Sequence, residues 1–149
     1  MNSLGLKLVK HFEGCRLEAY LDQGGVPTIG YGHIKDVVMG LTWTQEQAEE
    51  ALKEELDATE EGVKKLVKVK IDDNQLAALT SFAYNVGLGN LQKSTLLRWV
   101  NKLNQNVTSE FLKWNHVNGR VDNGLTKRRQ TEADLFAGNL DAVNKVINS

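Results

Sequence analysis

The chain has 149 residues, a formal net charge of −1, 41% apolar and 25% charged residues, and one cysteine. These values exclude a disordered or fibrous protein, and the near-neutral balance provides no overall basic field of the kind nucleic-acid binding uses. Cys15 alone cannot form an intramolecular disulfide, and no stretch approaches the roughly 18 apolar residues of a membrane span.

A chain of this length supports one core or two small lobes, burying about 68% of the surface its unfolded form exposes. The N-terminus, MNSLGLKLVKHFEG, lacks the long apolar run of a signal peptide. The expectation is therefore a soluble protein that starts in the cytoplasm, with no lasting membrane association.

Residues 3–13 are predicted helical, with Ser3 as N-cap and Gly14 just past the end. Leu4, Leu8, Phe12 and Cys15 fall on one side at helical spacing, and Leu6, Val9 and Glu13 fall nearly opposite. Cys15 reads as a small buried hydrophobe rather than a catalytic thiol, since no other nucleophile signature accompanies it. Glu13 shares its face with Leu6 and Val9, a poorly hydrating setting that favours a protonated carboxyl.

From Arg16 to Lys35 the pattern changes to short alternating runs broken by Gly24-Gly25, Gly30 and Gly32. Tyr20, Val26, Thr28, Ile29 and Tyr31 are strand formers, which predicts an antiparallel sheet of two or three strands with a turn at Asp22-Gln23-Gly24-Gly25. Pro27 fits an edge strand or a bulge.

Thr44, followed three positions later by Gln47, opens a long helix to about Lys68 with Ala48, Ala51, Leu52, Leu56, Val63, Leu66 and Val67 as its stripe. Its charges read as a solvated face, its length allows it to bridge two lobes as a hinge, and Gly62 is its weak point. Asp72 or Asp73 caps the next helix, LAALTSFAYNVG, closed by Gly87. Ser94 starts another, a shorter one runs near Ser109 to Trp114, and HVNGRVDNG reads as a polar loop. Thr126–Ala137 form a basic-then-acidic helix ending at Gly138, and Leu140, Val143 and Ile147 stripe the last. The fold class expected is α+β, a small antiparallel sheet lobe and a larger helical lobe joined by a long helix. All of it forms a single domain divided as 1–44, 45–70 and 71–149.

Glu13, Asp22 and Thr28 are the residues through which chemistry can enter. A helix end and an adjacent hairpin can bring a carboxylic acid, a carboxylate and a water-holding hydroxyl to one cleft. Splitting a glycosidic bond needs one carboxyl protonated and the other ionised. On spacing alone the ordinary reading, as a helix-end, turn and strand residue, is favoured over the catalytic one.

The run GCRLEAYLDQGGVPTIGYGH, preceded by Glu13, resembles the active-site signature of bacteriophage-type lysozymes, the endolysins of glycoside hydrolase family 24. That signature is a Glu, eight residues, an Asp, five residues and a Thr, here Glu13, Asp22 and Thr28. Two further stretches, NQLAALTSFAYNVGLGNLQKSTLLRWVN and GLTKRRQTEADLFAG, resemble the family's central and penultimate helices, so the likeness covers most of the chain.

The resemblance implies a lysozyme-like fold and hydrolysis of the β-1,4 bond between N-acetylmuramic acid and N-acetylglucosamine in peptidoglycan, without metal or cofactor. Glu13 would be the general acid, Asp22 the second carboxylate and Thr28 the hydroxyl placing the attacking water. The family's association with inversion favours water activation over a covalent adduct. A monomer acting on the host's cell wall is implied, reaching it through a partner pore (a holin) or cell lysis.

Other residues carry two readings. His33 is a metal ligand or general base, or a hydrogen-bonding member of the first lobe, and the second is favoured. With His11, His33 and His116 widely separated, a metal site is not expected. Asn85 and Gly87 sit where the family's second lobe faces the cleft, and Asn85 either contacts substrate or caps its helix. Lys127, Arg128 and Arg129 read as a solvated helix face. Alternatively one arginine, Arg128 being the candidate for substrate contact, reaches back to Glu13 or to the wall's carboxylates. Glu132 pairs within that helix. Trp114 is core or an aromatic shelf for sugar rings.

The near-neutral charge departs from the strongly basic character of many wall-degrading lysozymes. The rival readings are a lytic transglycosylase, which needs one acid and not Asp22, and a silent wall-binding or virion module.

Overall fold

The structure, a computed structural model, describes residues 1–149. The first helix, α1 (Ser3–Glu13), serves two cores at once because its apolar residues lie on two sides. Leu8 enters the large helical core, with Leu4 and Phe12 packed against it, while Val9 enters a smaller one with Tyr31, Ala48, Leu52 and Leu56. The split predicted from spacing is the split observed. Its N-cap is Asn2 rather than Ser3: Asn2 Oδ1 accepts from Gly5 N at 2.9 Å, and Ser3 is the first helical residue.

Gly14 turns the chain with a φ of +65°, so helical spacing ends before Cys15, which is exposed and not the buried hydrophobe expected. Strand β1 (Arg16–Leu21) then pairs antiparallel with β2 (Pro27–Gly30), Tyr20 opposite Thr28 and Leu21 opposite Pro27. The expected turn at Asp22-Gln23-Gly24-Gly25 joins them. Pro27 opens β2, where a missing N–H is tolerated. No third strand forms; the segment Leu41–Trp43 runs beside β1 through single bridges, Ala19 N donating to Leu41 O and Trp43 N to Leu17 O.

Thr44 and Gln47 form a complete capping box on α2 (Gln45–Leu66), whose Ala48, Leu52, Leu56 and Val63 are buried. Gly62, expected to be a weak point, also lies against Leu88: a Cβ there would stand 2.4 Å from Leu88 Cδ1, so a larger residue would have to move that side chain.

Asp72 and Gln75 cap α3 (Asp73–Val86), the centre of the large core. Short helices α4 (Leu88–Lys93), α5 (Thr95–Asn101, capped by Ser94) and α6 (Val107–Phe111) wrap it. The stretch read as a polar loop is a small hairpin, β3 (His116–Val117) and β4 (Arg120–Val121), turned by Asn118 and Gly119 with φ of 52° and 78°. Both positive values suit the Asn-Gly type I′ turn. Asp122 then caps α7 (Asn123–Ala137), which Gly138 ends in the left-handed conformation, and α8 (Leu140–Ile147) follows. No helix is long and apolar enough to cross a membrane.

The α+β expectation holds: a two-stranded sheet with its own small cluster of Ala19, Ile29 and Val37, a helical lobe, and α2 packing on both.

Candidate active site

Glu13 ends α1 where the sheet meets the helical lobe. Its Oε1 lies against the backbone of Gly32, where an added Cβ would come within 2.9 Å. On the other side Arg128 Nη1 donates to Glu13 Oε2 at 2.5 Å, bridging 115 residues of sequence. The carboxyl is thus seated between a glycine of the sheet lobe and a guanidinium from α7.

Arg128 is 4% exposed and every nitrogen is engaged: Nη1 with Glu13, Nε with Glu132 Oε2 at 3.2 Å, and Nη2 with the Ser81 carbonyl oxygen at 3.2 Å. Burial alone would lower the guanidinium pKa, but the carboxylates of Glu132 and Glu13 outweigh it and the net shift is upward. The solvated-face reading of the basic cluster is therefore wrong for Arg128 and Arg129, both buried, and holds only for Lys127. The alternative reading, in which one arginine reaches back to Glu13, is the arrangement Arg128 adopts.

Asp22 stands at the hairpin mouth, exposed, with Oδ1 accepting from Gly24 N and Val26 N at 2.8 Å each. The turn role and a catalytic one are compatible, since these bonds fix the side chain and leave Oδ2 for a ligand. Thr28 is buried, and its Oγ1 donates to Val26 O at 2.9 Å. With its proton committed, the hydroxyl can meet a water only as an acceptor. Tyr20 opposes Thr28 in the register and Asp22 lies two residues further on. Asp22 and Thr28 are thus carried on one hairpin, Asp22 in its turn and Thr28 on its second strand.

Behind Glu13, the Tyr84 hydroxyl stands 2.8 Å from Tyr31 O and 3.0 Å from Glu55 Oε2, sharing one proton between them. Burial, then the charges of Glu55 and Glu13, push the Tyr84 phenol pKa well up. His33 Nδ1 contacts Glu55 Oε1 and Nε2 lies 2.9 Å from Lys35 O, so both ring nitrogens are used within the protein. The hydrogen-bonding reading of His33 stands. Sequence reasoning did not single out Tyr84 or Glu55, which look like ordinary core-edge and solvated residues on their helices.

Asn85 is exposed on the last turn of α3 and is not its cap; the Gly87 N–H bonds Ala83 O, and Asn90 Nδ2 donates to Val86 O at 2.7 Å. Gly87 is exposed beside it with a φ of +95°. Trp114 meets Phe82 edge-on with centroids 5.4 Å apart and packs on the large core, so it is no open shelf. No three His, Cys, Asp or Glu side chains converge in a metal-binding group.

The sequence profile described as Phage lysozyme matches residues 10–132. The chain belongs to the phage lysozyme family. It is 46% identical over 143 residues to an endolysin of Bacillus phage B103, covering 91% of this chain and 53% of that protein. It is 38% identical over 142 residues to an endolysin of Salmonella phage P22, covering 91% and 97%. The chain thus spans about half the length of the Bacillus phage relative and nearly all of the Salmonella phage one. Among solved structures, the endolysin from Escherichia coli O157:H7 phage FAHEc1 superposes with a TM-score of 0.85 at 38% identity, covering 93% of each chain. As a phage lysozyme the chain has its Glu13, Asp22 and Thr28 all inside the matched span.

Proposed function

We propose that this phage lysozyme is an endolysin that hydrolyses the β-1,4 bond between N-acetylmuramic acid and N-acetylglucosamine in peptidoglycan. The observation carrying the reading is the seat of Glu13 between Gly32 and Arg128, at the junction of the two lobes and beside the hairpin that carries Asp22 and Thr28. Family membership supplies the substrate class.

Glu13 protonates the leaving glycosidic oxygen. Asp22, through Oδ2, takes a proton from the water that attacks the opposite face of the sugar, and Thr28, through a lone pair of Oγ1, accepts a hydrogen bond that orients that water, so the anomeric configuration inverts. Asn85 and Gly87, exposed at the end of α3, contact the glycan from the helical lobe. The protein works as a monomer in one domain of three parts, 1–44, 45–70 and 71–149, with α2 as the hinge of the cleft. It reaches the wall after a holin or lysis opens the membrane.

Digestion of a defined muropeptide tests the reading. Hydrolysis adds one water to the product mass, and nuclear magnetic resonance of the nascent sugar shows the inverted anomer. An anhydro-sugar product would identify a lytic transglycosylase, and no product at all would identify a silent wall-binding module.

A further inference from the structure

Behind the Glu13–Arg128 contact lies a set of charges that the proposed chemistry leaves unused. Arg129 and Glu132 are both 0% exposed. Glu132 Oε2 accepts from Ser81 Oγ at 2.5 Å, from Arg128 Nε at 3.2 Å and from Arg129 Nη2 at 3.1 Å. Arg129 Nε stands 2.7 Å from Glu132 Oε1 but off the N–H direction, an ion pair rather than a directed hydrogen bond. The Arg129 guanidinium also lies over the Phe82 ring, 5.0 Å from its centroid.

Two guanidiniums and one carboxylate in a helix core are costly, and apolar residues of similar volume would stabilise a core as well or better. The presence of the group is therefore weak evidence of a stabilising role. Its charge gives it another: the pair of cations exceeds the single anion by one, and that surplus points at Glu13.

We infer that Glu132 is a positioning residue for the reaction, holding Arg128 against Glu13 and cancelling one of the two guanidinium charges so that Glu13 can carry its proton. The inference rests on the reading of Glu13 as proton donor. Burial lowers the Arg129 guanidinium pKa, with the Arg128 charge acting in the same sense against Glu132, as expected of a cation short of compensation.

The groups facing Glu13 come from every side. From α7 they are Arg128, with Arg129 and Glu132 behind it; from α3, Tyr84; from α2, Glu55, bonded to Tyr84. The sheet lobe offers Gly32, His33, which is tied to Glu55, and at its hairpin mouth the carboxylate of Asp22. On α1, Lys10 is paired with Glu49, and His11 is exposed. None of these replaces the carboxylate of Glu132 beside Arg128.

The test is the pH–activity profile. Glu132→Gln keeps the shape and removes the charge, so two guanidiniums then favour the ionised form of Glu13. The alkaline limb should move to lower pH by about one unit. Glu132→Asp, retaining the charge, should leave the limb near its wild-type position. Arg129→Met alone should move it upward, and the double variant Arg129→Met/Glu132→Gln should bring it back. Should Glu132→Gln fail to fold, Arg129→Met and the double variant decide the question. A folded Glu132→Gln with the wild-type limb, or an unmoved Arg129→Met, overturns the inference. Lysis by Glu13→Gln would instead overturn the proton-donor reading, so the two failures are distinguishable.

Discussion

The Glu13 carboxyl rests on Gly32: a Cβ at position 32 would stand 2.9 Å from Oε1, and the backbone there has a φ of +85°. Gly32→Ala should therefore act twice. The methyl displaces the carboxyl, costing about 100-fold in turnover if the shift approaches 1 Å, and the left-handed backbone costs about 1–2 kcal/mol. Turbidity loss of permeabilised cells and thermal denaturation measure the two effects, and unchanged lysis would show that this seat does not matter.

Glu13→Gln should abolish lysis, with a fall of about 100- to 10,000-fold, and should lower the melting temperature because buried Arg128 loses one of its two anionic partners. The amide keeps the contact with Gly32 and an acceptor toward Arg128 while losing the proton. Comparable lysis by a folded variant removes Glu13 as the acid.

Asp22→Asn retains the acceptor for Gly24 N and Val26 N, so the hairpin should form as before. Turnover should nonetheless drop by orders of magnitude, because an amide cannot deprotonate water. Retained activity with anhydro-sugar in the mass spectrum would point to the transglycosylase.

Gly62→Ala is a stability prediction. Alanine gains about 1 kcal/mol of helix propensity, but its Cβ would meet Leu88 Cδ1 at 2.4 Å, and overpacking typically costs about 1–3 kcal/mol. The net effect should be destabilising or close to zero in urea denaturation; a gain near the full propensity value would mean that Leu88 moves aside freely.

Stability should also fall in alkali. Burial, opposed by a bond from Gln45 and assisted by Glu49, pushes the Tyr31 phenol up to about 12 from 10.0. The folded pKa lies above the unfolded one, so the contribution is complete below pH 10 and is lost as pH rises toward 12. Tyr31→Phe should flatten that part of the stability–pH curve and remove one late step from the tyrosinate absorbance titration. A slope equal to wild type would exclude the linkage.

Much of the fold could be read from local signals that agree with their surroundings. The two faces of α1, the Thr44–Gln47 capping box and the Gly138 stop each depend on a few neighbouring residues, and each is where spacing put it; of the two caps open for α3, Asp72 or Asp73, the structure uses Asp72. Cys15 was misplaced because helical spacing was carried past Gly14, where the backbone leaves the helix. The β3–β4 hairpin was missed although Asn118-Gly119 announces it, since its strands are two residues each and hold no alternation to notice.

In the site, Asp22 and Thr28 lie on one hairpin and their pairing follows from short-range register. The charges on α7 were harder. Arg128, Arg129 and Glu132 occupy the stripe that continues to Leu135 and Phe136, positions where an amphipathic helix has apolar residues. The signal was that periodicity with charges filling it, and only the partners across the core, Glu13 and Ser81, explain why they are inside.

The separation of 115 positions between Glu13 and Arg128 also sets a clock. A ribosome has to release most of α7 before the pair can meet, so a nascent or truncated chain exposing only the signature stretch carries an unfinished centre.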